Sequence, residues 1–232
     1  ARAMCAPTRQ VLTTGKHLGR GGINDVRPSF AEVMKRGGYA TGISGKWMMG
    51  RMEPWARGWD EGVIQVNGFR FWSPQVVVFN SGGYLKEHNL PKLESRTKDH
   101  DWPIDGTQPG AVQLRGQYGP KVACDYVCDF IDRQKSEPCF LYYPLKLGHV
   151  PVVPTPLSPL GEDEQRRIEG MADDTPENQG KYGDREKYEA DNVRYMDLVL
   201  GRVLEALERN GLQENTLLIF TSDNGPGVRG RV

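Results

Sequence analysis

The sequence has no excess charge of either sign and no long apolar run. Thirty basic and thirty acidic side chains give its 232 residues a formal net charge of +0. This balance creates no long-range field that would attract nucleic acid or an acidic membrane surface, so we expect neither as a partner. No apolar run reaches the roughly 18 residues that a transmembrane helix requires, so we expect no membrane segment in this chain.

Cysteine is scarce: the four residues Cys5, Cys124, Cys128 and Cys139 are too few and too scattered to predict a disulfide framework. Cys124 and Cys128 lie four positions apart in a segment with helical periodicity, and therefore on one face of a helix. Because no second Cys or His pair lies nearby, we expect two thiols packed in the core rather than half of a metal site.

The chain also begins without an initiator Met and without a signal-peptide pattern. We therefore expect a piece of a longer protein. These residues alone do not determine its compartment.

Alternating helical and strand patterns predict an α/β fold. Short apolar segments bounded by turn residues predict buried strands at 39–47, 139–146 and 215–223. Apolar residues at helical spacing predict helices at 27–38, 119–134 and about 186–209. This alternation is typical of a layered domain with a mostly parallel central sheet flanked by helices. The ranges 50–118 and 155–185 are rich in Gly, Pro or charged residues, and we expect loop-rich insertions there that carry substrate contacts.

The segment CAPTRQVLTTG, residues 5–15, predicts a short helix with a nucleophile at its start. Pro7 suits the first turn of a helix, and Gly15 suits its end. Cys5 then lies at the helix N-terminus, where unpaired N–H groups and the helix dipole favour an anion, and Arg9 lies one turn further on. Attack on a phosphate or sulfate fits this arrangement, and so does the chemistry of an ordinary activated thiolate.

This segment resembles the signature of type I sulfatases, Cys-x-Pro-x-Arg followed by Thr-Gly. In that family the cysteine is oxidised after translation to formylglycine, whose hydrate carries two hydroxyls on one carbon. One hydroxyl attacks sulfur and the other expels sulfate, whereas a thiol lacks a second hydroxyl with which to break its own adduct. The resemblance implies that Cys5 is the nucleophile precursor and that Arg9 holds the modified side chain. It also implies a formylglycine-generating or sulfatase-maturing enzyme as a partner.

Further segments resemble the same family in the same order. GYATGISGKWMMG, residues 38–50, places Lys46 on the lysine that contacts the sulfate, and PWARGWDEGV, residues 54–63, fits the continuation. Met48 departs from the family, which usually has a histidine there. Methionine cannot donate or relay a proton, so either another group replaces that histidine or turnover is altered.

The segment FLYYPLKLGHVPVVPTPLS, residues 140–158, resembles the strand and loop that carry a second active-site histidine. The resemblance implies that His149 is catalytic. We expect His17, His88 and His100, which have no such context, to be surface residues.

The segment NTLLIFTSDNG, residues 215–225, places Asp223 and Asn224 at the end of a predicted strand. Asp-Asn-Gly by itself is a common turn signal. A carboxylate and an amide carbonyl are also ligands suited to Ca²⁺ or Mg²⁺. The segment resembles the sulfatase metal motif, which implies that Asp223 and Asn224 bind a divalent cation.

Other parts of the family pattern are missing. The family's remaining metal carboxylates form an Asp-Asp pair on a strand before the cysteine, whereas Asp173-Asp174 here lies in a polar loop and is expected to be solvated. The family's leaving-group lysine and smaller C-terminal subdomain both follow the Asp-Asn motif, and we expect both to be absent from this chain. We therefore expect residues 1–232 to be a partial catalytic domain of the alkaline-phosphatase-like fold, incomplete at both ends and inactive by itself.

The predicted activity is hydrolysis of sulfate esters, with a sulfated small molecule or glycan as substrate. A phosphonate monoester or phosphodiester hydrolase of the same fold and a non-catalytic glycan-binding protein are the alternatives. The family resemblance suggests a periplasmic, extracellular or lysosomal location. Trp55, Trp59 and Trp72 could stack on sugar rings, but core anchoring is the expected role of such residues.

Overall fold

The computed structural model describes residues 5–16, 28–47, 54–65, 71–79, 110–170 and 183–225. The helices in these ranges are α1 Cys5–Thr14, α2 Phe30–Arg36, α3 Gly119–Arg133, α4 Glu162–Gly170 and α5 Arg185–Arg209. The strands are β1 Ala40–Lys46, β2 Glu61–Gln65, β3 Gln75–Phe79, β4 Gly110–Gln113 and β5 Cys139–Tyr142. Two short 3-10 helices occupy Trp55–Arg57 and Gln213–Asn215. None of the described helices is both long and apolar enough to cross a membrane.

The five strands form one mixed sheet in the order β4-β3-β2-β1-β5. β1 pairs in parallel with β2 on one side and with β5 on the other, so that Gly42 lies opposite both Glu61 and Leu141. β3 is antiparallel to β2 and to β4. The sheet is therefore mostly parallel at the β1–β5 side, which confirms the predicted fold class.

Local signals fix where the helices begin. At α2 the Ser29 side chain accepts a hydrogen bond from the Glu32 backbone N–H at 3.1 Å, and the Glu32 carboxylate accepts one from the Ser29 N–H at 2.6 Å. This reciprocal capping box satisfies two N–H groups that the helix itself leaves unpaired. At α5 the Asp184 side chain accepts from the Lys187 N–H at 3.1 Å.

Helices cover both faces of the sheet. On one face α2 packs Phe30 edge-on against Trp59, Phe140 and Tyr142, with ring centroids 5.0–5.5 Å apart. On the other face Phe130 of α3 lies over Gly42 of β1, where any Cβ would come within 2.6 Å of the Phe130 ring. α5 packs on the outer side of α3. The result is a layered domain with its core on both sides of β1.

The two helix-face thiols lie in the α3–α5 interface, as predicted. The Cys124 thiol donates to the Val199 carbonyl at 3.5 Å, and the Cys128 thiol donates to the Arg202 carbonyl at 3.6 Å. All four cysteines of the chain lie in the described ranges and are free.

The three tryptophans named above also pack into core clusters. Trp59 is buried, and Trp55 and Trp72 are partly buried against core clusters. This confirms the expected anchoring role.

Three expectations need correction. Residues 215–223 are not a strand: a 3-10 turn is followed by a segment without regular secondary structure, which none of the described strands pairs with. Its side chains Leu217, Leu218, Ile219 and Phe220 are exposed, so the described part of the fold supplies neither a hydrogen-bonding neighbour nor a core for them.

The two ranges that were expected to be loop-rich also contain regular elements. The range 50–118 holds three of the five described strands as well as loops, and 155–185 contains α4.

The two correctly predicted strands are shorter than expected. β1 ends at Lys46 and β5 ends at Tyr142. Pro144 lacks an N–H group, which limits the continuation of β5.

Candidate active site

The candidate site lies where the parallel strands β1 and β5 end. The Lys46 N–H donates to the Pro144 carbonyl at 3.0 Å, which joins the end of β1 to the segment after β5. Gly45 permits this close approach, because it has φ +117° and a Cβ there would come within 2.5 Å of the Pro144 oxygen. Crevices outside the carboxyl ends of parallel strands are where α/β sheets bind ligands.

Arg9, in α1, contacts two other segments of the chain at this point. Its side chain is 5% exposed, and Nη1 donates to the Lys46 carbonyl at 2.6 Å. Nε donates to Asp223 Oδ2 at 3.2 Å, and Nη2 lies 3.2 Å from the same oxygen. One guanidinium therefore links α1, the end of β1 and the segment after α5. The fork geometry of arginine suits it to this task.

Lys46 brings a positive charge next to Cys5. It is the last residue of β1 and only 2% exposed, and its Nζ lies 3.8 Å from the Cys5 sulfur. Burial, and to a lesser extent Arg9, lowers the pKa of the Lys46 ammonium, while Cys5 and Asp223 act in the opposite direction. The net result is a lowered pKa for Lys46. A buried amine with a lowered pKa next to a potential nucleophile is typical of a functional site.

Cys5 is half-buried and is the first residue of α1. Its position at the start of a ten-residue helix places it at the positive end of the helix dipole. Among the described residues the helix starts at Cys5, and Pro7 lies in its first turn, as predicted. The side chain at position 5 therefore lies between the helix terminus and the Lys46 ammonium, where a negative charge is stabilised from both sides.

His149 lies in the turn that follows β5, near the same charges. Its Nδ1 donates a hydrogen bond to the Val150 carbonyl, which leaves Nε2 as an acceptor. Burial first, and then the charges of Lys46 and Lys146, lowers the pKa of this imidazole, although the Val150 carbonyl and Asp223 act in the opposite direction. His149 is therefore neutral at pH 7, with a lone pair on Nε2.

Asp223 and Asn224 supply oxygen atoms next to the Arg9 guanidinium, which contacts the Asp223 carboxylate. Asn224 Nδ2 donates to the Gly225 carbonyl at 2.9 Å, while its Oδ1 is buried and has no hydrogen-bond partner among the described residues. A buried amide oxygen without a hydrogen-bond partner, next to a carboxylate, is suited to bind a hard cation such as Ca²⁺ or Mg²⁺. These two residues provide only part of a shell, because within the described ranges no three His, Cys, Asp or Glu side chains converge on one point.

Two further residues of this region escaped the sequence analysis. Tyr142 is the last residue of β5, and burial raises the pKa of its hydroxyl, while the charge of Arg9 acts in the opposite direction. Lys146 is 4% exposed, and burial lowers its pKa well below the usual range. Both lie at or just beyond the carboxyl end of a predicted strand, and that position was the signal that could have identified them.

The structure thus brings together Arg9, Lys46, Cys5 and Asp223 by direct contact and places His149 within their electrostatic influence. Met48, His17, His88, His100 and the Asp173-Asp174 pair lie outside the described residues.

The fold and this cluster define a class of protein: an α/β domain that presents a cysteine, at a helix N-terminus, to a group of cationic side chains at the carboxyl end of a mostly parallel sheet. The sulfatase family model matches residues 1–231, so the chain belongs to the sulfatase family.

Named relatives agree with this membership. The chain is 27% identical to human N-acetylgalactosamine-6-sulfatase over 256 residues, covering 98% of this chain and 42% of that protein. It is 27% identical to N-acetylgalactosamine-6-O-sulfatase of Bacteroides thetaiotaomicron, covering 97% of this chain and 50% of that protein. Human arylsulfatase D is 24% identical, covering 100% of this chain and 47% of that protein. The chain thus spans about half or less of the length of these relatives.

Solved structures share the fold. One, from work on glycosaminoglycan metabolism by Bacteroides thetaiotaomicron, has a TM-score of 0.57 and 22% identity and covers 97% of this chain and 53% of that one. Another, solved in complex with its substrate D-glucosamine-2-N,6-O-disulfate, has a TM-score of 0.61 and 16% identity and covers 92% of this chain and 54% of that one. At these identities the likeness establishes the fold alone.

Proposed function

We propose that the full-length protein hydrolyses sulfate esters at the site formed around Cys5. The observation that carries this proposal is the placement of the Lys46 ammonium 3.8 Å from the Cys5 sulfur, with Arg9 bonded to both Lys46 and Asp223. Family membership supports the same activity. Two cationic side chains next to a helix N-terminus favour a tetrahedral anion such as a sulfate ester.

We propose that Cys5 is converted to formylglycine by a maturing enzyme, which supplies a two-electron oxidant, replaces the Cβ–S bond by a carbonyl C=O bond and releases the sulfur as sulfide. The hydrated aldehyde supplies two hydroxyls on one carbon: one attacks sulfur and displaces the alcohol, and the other re-forms the aldehyde and expels sulfate. Lys46 and the N-terminus of α1 lie where they stabilise negative charge on this side chain and on the sulfate oxygens. Arg9 holds Lys46 and Asp223 in fixed positions through one contact with the Lys46 carbonyl and two with the Asp223 carboxylate.

His149 has the protonation state of a base in this proposal. With Nδ1 donating to the Val150 carbonyl, Nε2 is free of a proton and accepts one from a hydroxyl at the reacting centre. Its lowered pKa keeps it in this form at neutral pH.

Asp223 Oδ1 and Asn224 Oδ1 are the oxygens that we propose as ligands of a Ca²⁺ or Mg²⁺ ion. Such an ion, when bound, polarises the ester and stabilises charge on a sulfate oxygen. Further ligands must come from outside Asp223 and Asn224, because two oxygens are fewer than the six to eight that Ca²⁺ prefers.

We propose a sulfated sugar as the substrate class. The printed names of the relatives include N-acetylgalactosamine-6-sulfatase, and one structural relative was solved with a sulfated glucosamine.

The test uses the full-length protein, produced together with a formylglycine-generating enzyme. Mass spectrometry of the peptide that contains Cys5 is expected to show conversion of the thiol to an aldehyde. Values of kcat/KM on an aryl sulfate, N-acetylgalactosamine 6-sulfate and an aryl phosphonate monoester are then compared, with Cys5→Ala as the inactive control. A higher kcat/KM on the phosphonate contradicts the choice of sulfate. An unmodified Cys5 together with tight glycan binding contradicts catalysis.

A further inference from the structure

The loop of residues 148–154, which carries His149, is fixed by hydrogen bonds just after the histidine. Three consecutive backbone carbonyls there each accept a hydrogen bond from a different residue. The acceptors are Val152, Val153 and Pro154, and the donors are, in the same order, the Asp184 N–H at 2.9 Å, the Asn192 side-chain amide at 2.9 Å and the Trp72 indole N–H at 2.8 Å. Carbonyls of a loop have no strand or helix partners of their own, so these donors determine where the loop lies.

Asn192 is the most deeply buried of the three donor residues. It lies inside α5 and is 1% exposed. Its Nδ2 donates to the Val153 carbonyl and also to the Tyr188 carbonyl one turn back in the helix, both at 2.9 Å. An amide nitrogen carries two hydrogens, so both are used. The reverse orientation of the amide would place Oδ1 against two carbonyl oxygens, and the contacts therefore fix which way the side chain points.

An asparagine at this position destabilises the packing of α5 in two ways. Its Oδ1 is buried and has no hydrogen-bond partner among the described residues, which leaves an acceptor unpaired. Asparagine is also a poorer helix former than leucine, which has a similar size. Leucine would avoid both penalties but has no N–H group. What Asn192 adds is therefore its pair of donors, one of which leaves the helix and reaches Val153.

The same face of α5 also meets the loop on the other side of the histidine. A Cβ on Gly148 would lie 3.9 Å from Cε of Met196. Met196 follows Asn192 by four residues, so both side chains project from one face of the helix. α5 thus contacts the loop at Gly148, just before His149, and at Val153, just after it. The position of the histidine backbone depends on both contacts.

We propose that Asn192 is a positioning residue, which holds the loop of His149 so that the imidazole reaches the reacting centre. This inference rests on the proposed function, in which His149 is the base. Proton transfer requires hydrogen-bond geometry, so a loop displaced by about 1 Å loses rate although its imidazole is chemically intact. Asn192 acts through the backbone of Val153, four residues after the histidine, and not by contact with the substrate.

The experiment compares the full-length, matured wild-type protein with Asn192→Leu and with the matched control Asn210→Leu. Asn210, at the C-terminal end of α5, makes the same kind of contacts: its Nδ2 donates to the Ala206 carbonyl one turn back at 2.8 Å and to the Asp132 carboxylate of α3 at 2.6 Å. It lies about 27 Å further along the helix than Asn192. Asn210→Leu therefore removes two similar hydrogen bonds away from the loop of His149.

The first measurement is of kcat and KM on an aryl sulfate. We expect Asn192→Leu to lower kcat about 10–100-fold and to leave KM within about threefold of wild type, because a base acts in the transition state and not in substrate binding. Asn210→Leu is expected to leave both constants within about threefold of wild type. An unchanged kcat in folded Asn192→Leu overturns the inference.

A double-mutant cycle with His149→Gln separates this role from a general structural one. A residue that acts through the base has nothing left to position once the base is removed. We therefore expect kcat of the double variant Asn192→Leu, His149→Gln to stay within about twofold of kcat of His149→Gln alone. If Asn192→Leu lowers kcat by the same factor with and without the histidine, the loss does not pass through His149 and the inference is wrong.

Thermal unfolding and mass spectrometry of the Cys5 peptide verify that each variant folds and matures. If Asn192→Leu does not fold, Asn192→Ser replaces it in the same measurements. A serine hydroxyl bonds the carbonyl one turn back in a helix, here that of Tyr188, and is shorter than the asparagine side chain that reaches Val153.

Amide hydrogen exchange distinguishes failure of this inference from failure of the proposed function. We expect exchange at the non-proline residues of 149–154 to be faster in Asn192→Leu than in wild type and unchanged in Asn210→Leu. If wild type hydrolyses no sulfate ester but exchange changes as expected, the proposed activity is wrong and the hold of Asn192 on the loop stands. If wild type is active while Asn192→Leu changes neither exchange nor kcat, the role assigned to Asn192 is wrong and the activity stands.

Discussion

Arg9 and Asp223 lie 214 positions apart in the sequence and form an ion pair in which Nε and Nη2 of the arginine both lie 3.2 Å from one carboxylate oxygen. The arginine side chain is 5% exposed and the aspartate side chain 29%, so solvent and salt screen this pair only partly. The same guanidinium donates to the Lys46 carbonyl. Removal of one side chain therefore disturbs the nucleophile helix, the end of β1 and the Asp-Asn segment together.

Substitution of Arg9 tests this connection. In the full-length protein, Arg9→Lys is expected to lower kcat/KM about 100-fold or more, because a lysine cannot reproduce two hydrogen bonds and a further ion-pair contact in a fixed fork. Amide hydrogen exchange is expected to increase at residues 221–225, which Arg9 holds through Asp223. Arg36→Lys, at the exposed end of α2, is the matched control and should change neither quantity. Wild-type exchange at 221–225 in Arg9→Lys would show that the ion pair does not order this segment.

The pKa of His149 gives a pH prediction with a definite sign. Its folded-state pKa is below 6.5, so between that value and 6.5 the unfolded state binds more protons than the folded state. Stability contributed by the neutral imidazole is therefore complete above about pH 6.5 and decreases as the pH falls through the folded-state value. Urea unfolding of the wild-type protein and of His149→Gln from pH 7.5 to pH 4.5 measures this contribution. The difference in unfolding free energy between the two should shrink toward low pH, and a constant difference contradicts the assignment.

Removal of divalent cations tests Asp223 and Asn224 as metal ligands. We expect EDTA to abolish hydrolysis of an aryl sulfate by the full-length protein, and Ca²⁺ or Mg²⁺ to restore it. Asn224→Ala removes the buried, unpartnered Oδ1 and should raise the cation concentration that gives half-maximal recovery. Asn210→Ala, at the end of α5, serves as the control. Full activity after exhaustive chelation would contradict a metal at this site.

Packing of α3 on the sheet depends on Gly42. A Cβ at this position comes within 2.6 Å of the Phe130 ring, so Gly42→Ala is expected to lower the free energy of unfolding by about 1–3 kcal/mol. Gly201→Ala is the matched control, because nothing lies within 4 Å of a Cβ there and the residue is in the interior of α5. That change should raise stability by about 0.5–1 kcal/mol, since alanine is the better helix former. Denaturant unfolding measures the change in the free energy of unfolding for both variants. Equal changes would contradict the close contact between Gly42 and the Phe130 ring.

A second packing prediction concerns the contact between α3 and β2. Arg133 Nη1 and Nη2 donate to the two oxygens of Glu61 at 2.8 and 3.0 Å, and the Glu61 side chain is 10% exposed. Because Arg133 itself is 40% exposed, Glu61→Gln is expected to lower the free energy of unfolding by only about 1 kcal/mol. Glu162→Gln, which breaks the mostly exposed contact with Arg166, should have no measurable effect. Denaturant midpoints of the two variants are compared, and the prediction is wrong if they coincide.

Local patterns were enough to find most of the regular elements. Periodicity predicted helices within one or two residues of α3 and α5, since their apolar faces repeat at helical spacing and pack against each other. The apolar segments at 39–47 and 139–146 contain β1 and β5. The three strands within 50–118 were missed because Gly, Pro and polar residues there outweigh short runs such as the one around Val77.

The segment at 215–223 shows the limit of such patterns. Its composition is that of a buried strand, yet Leu217 is 85% exposed and no described strand pairs with it. A strand needs a hydrogen-bonding neighbour as well as apolar side chains, and sequence composition does not provide one.

The candidate site divides in the same way. The types of the chemical groups and their order along the chain follow from local motifs such as Cys-x-Pro-x-Arg and Asp-Asn-Gly. These motifs identified Cys5, Arg9, Lys46, His149 and Asp223 as candidates, whereas Tyr142 and Lys146 belong to no such motif and were missed although they lie in a predicted strand. Which of these side chains lie close together, and how far each is buried, depends on the tertiary structure. Proximity between residues about 40 to 214 positions apart depends on how the sheet and helices pack, and the pKa shifts of Lys46, Lys146 and His149 arise from that packing.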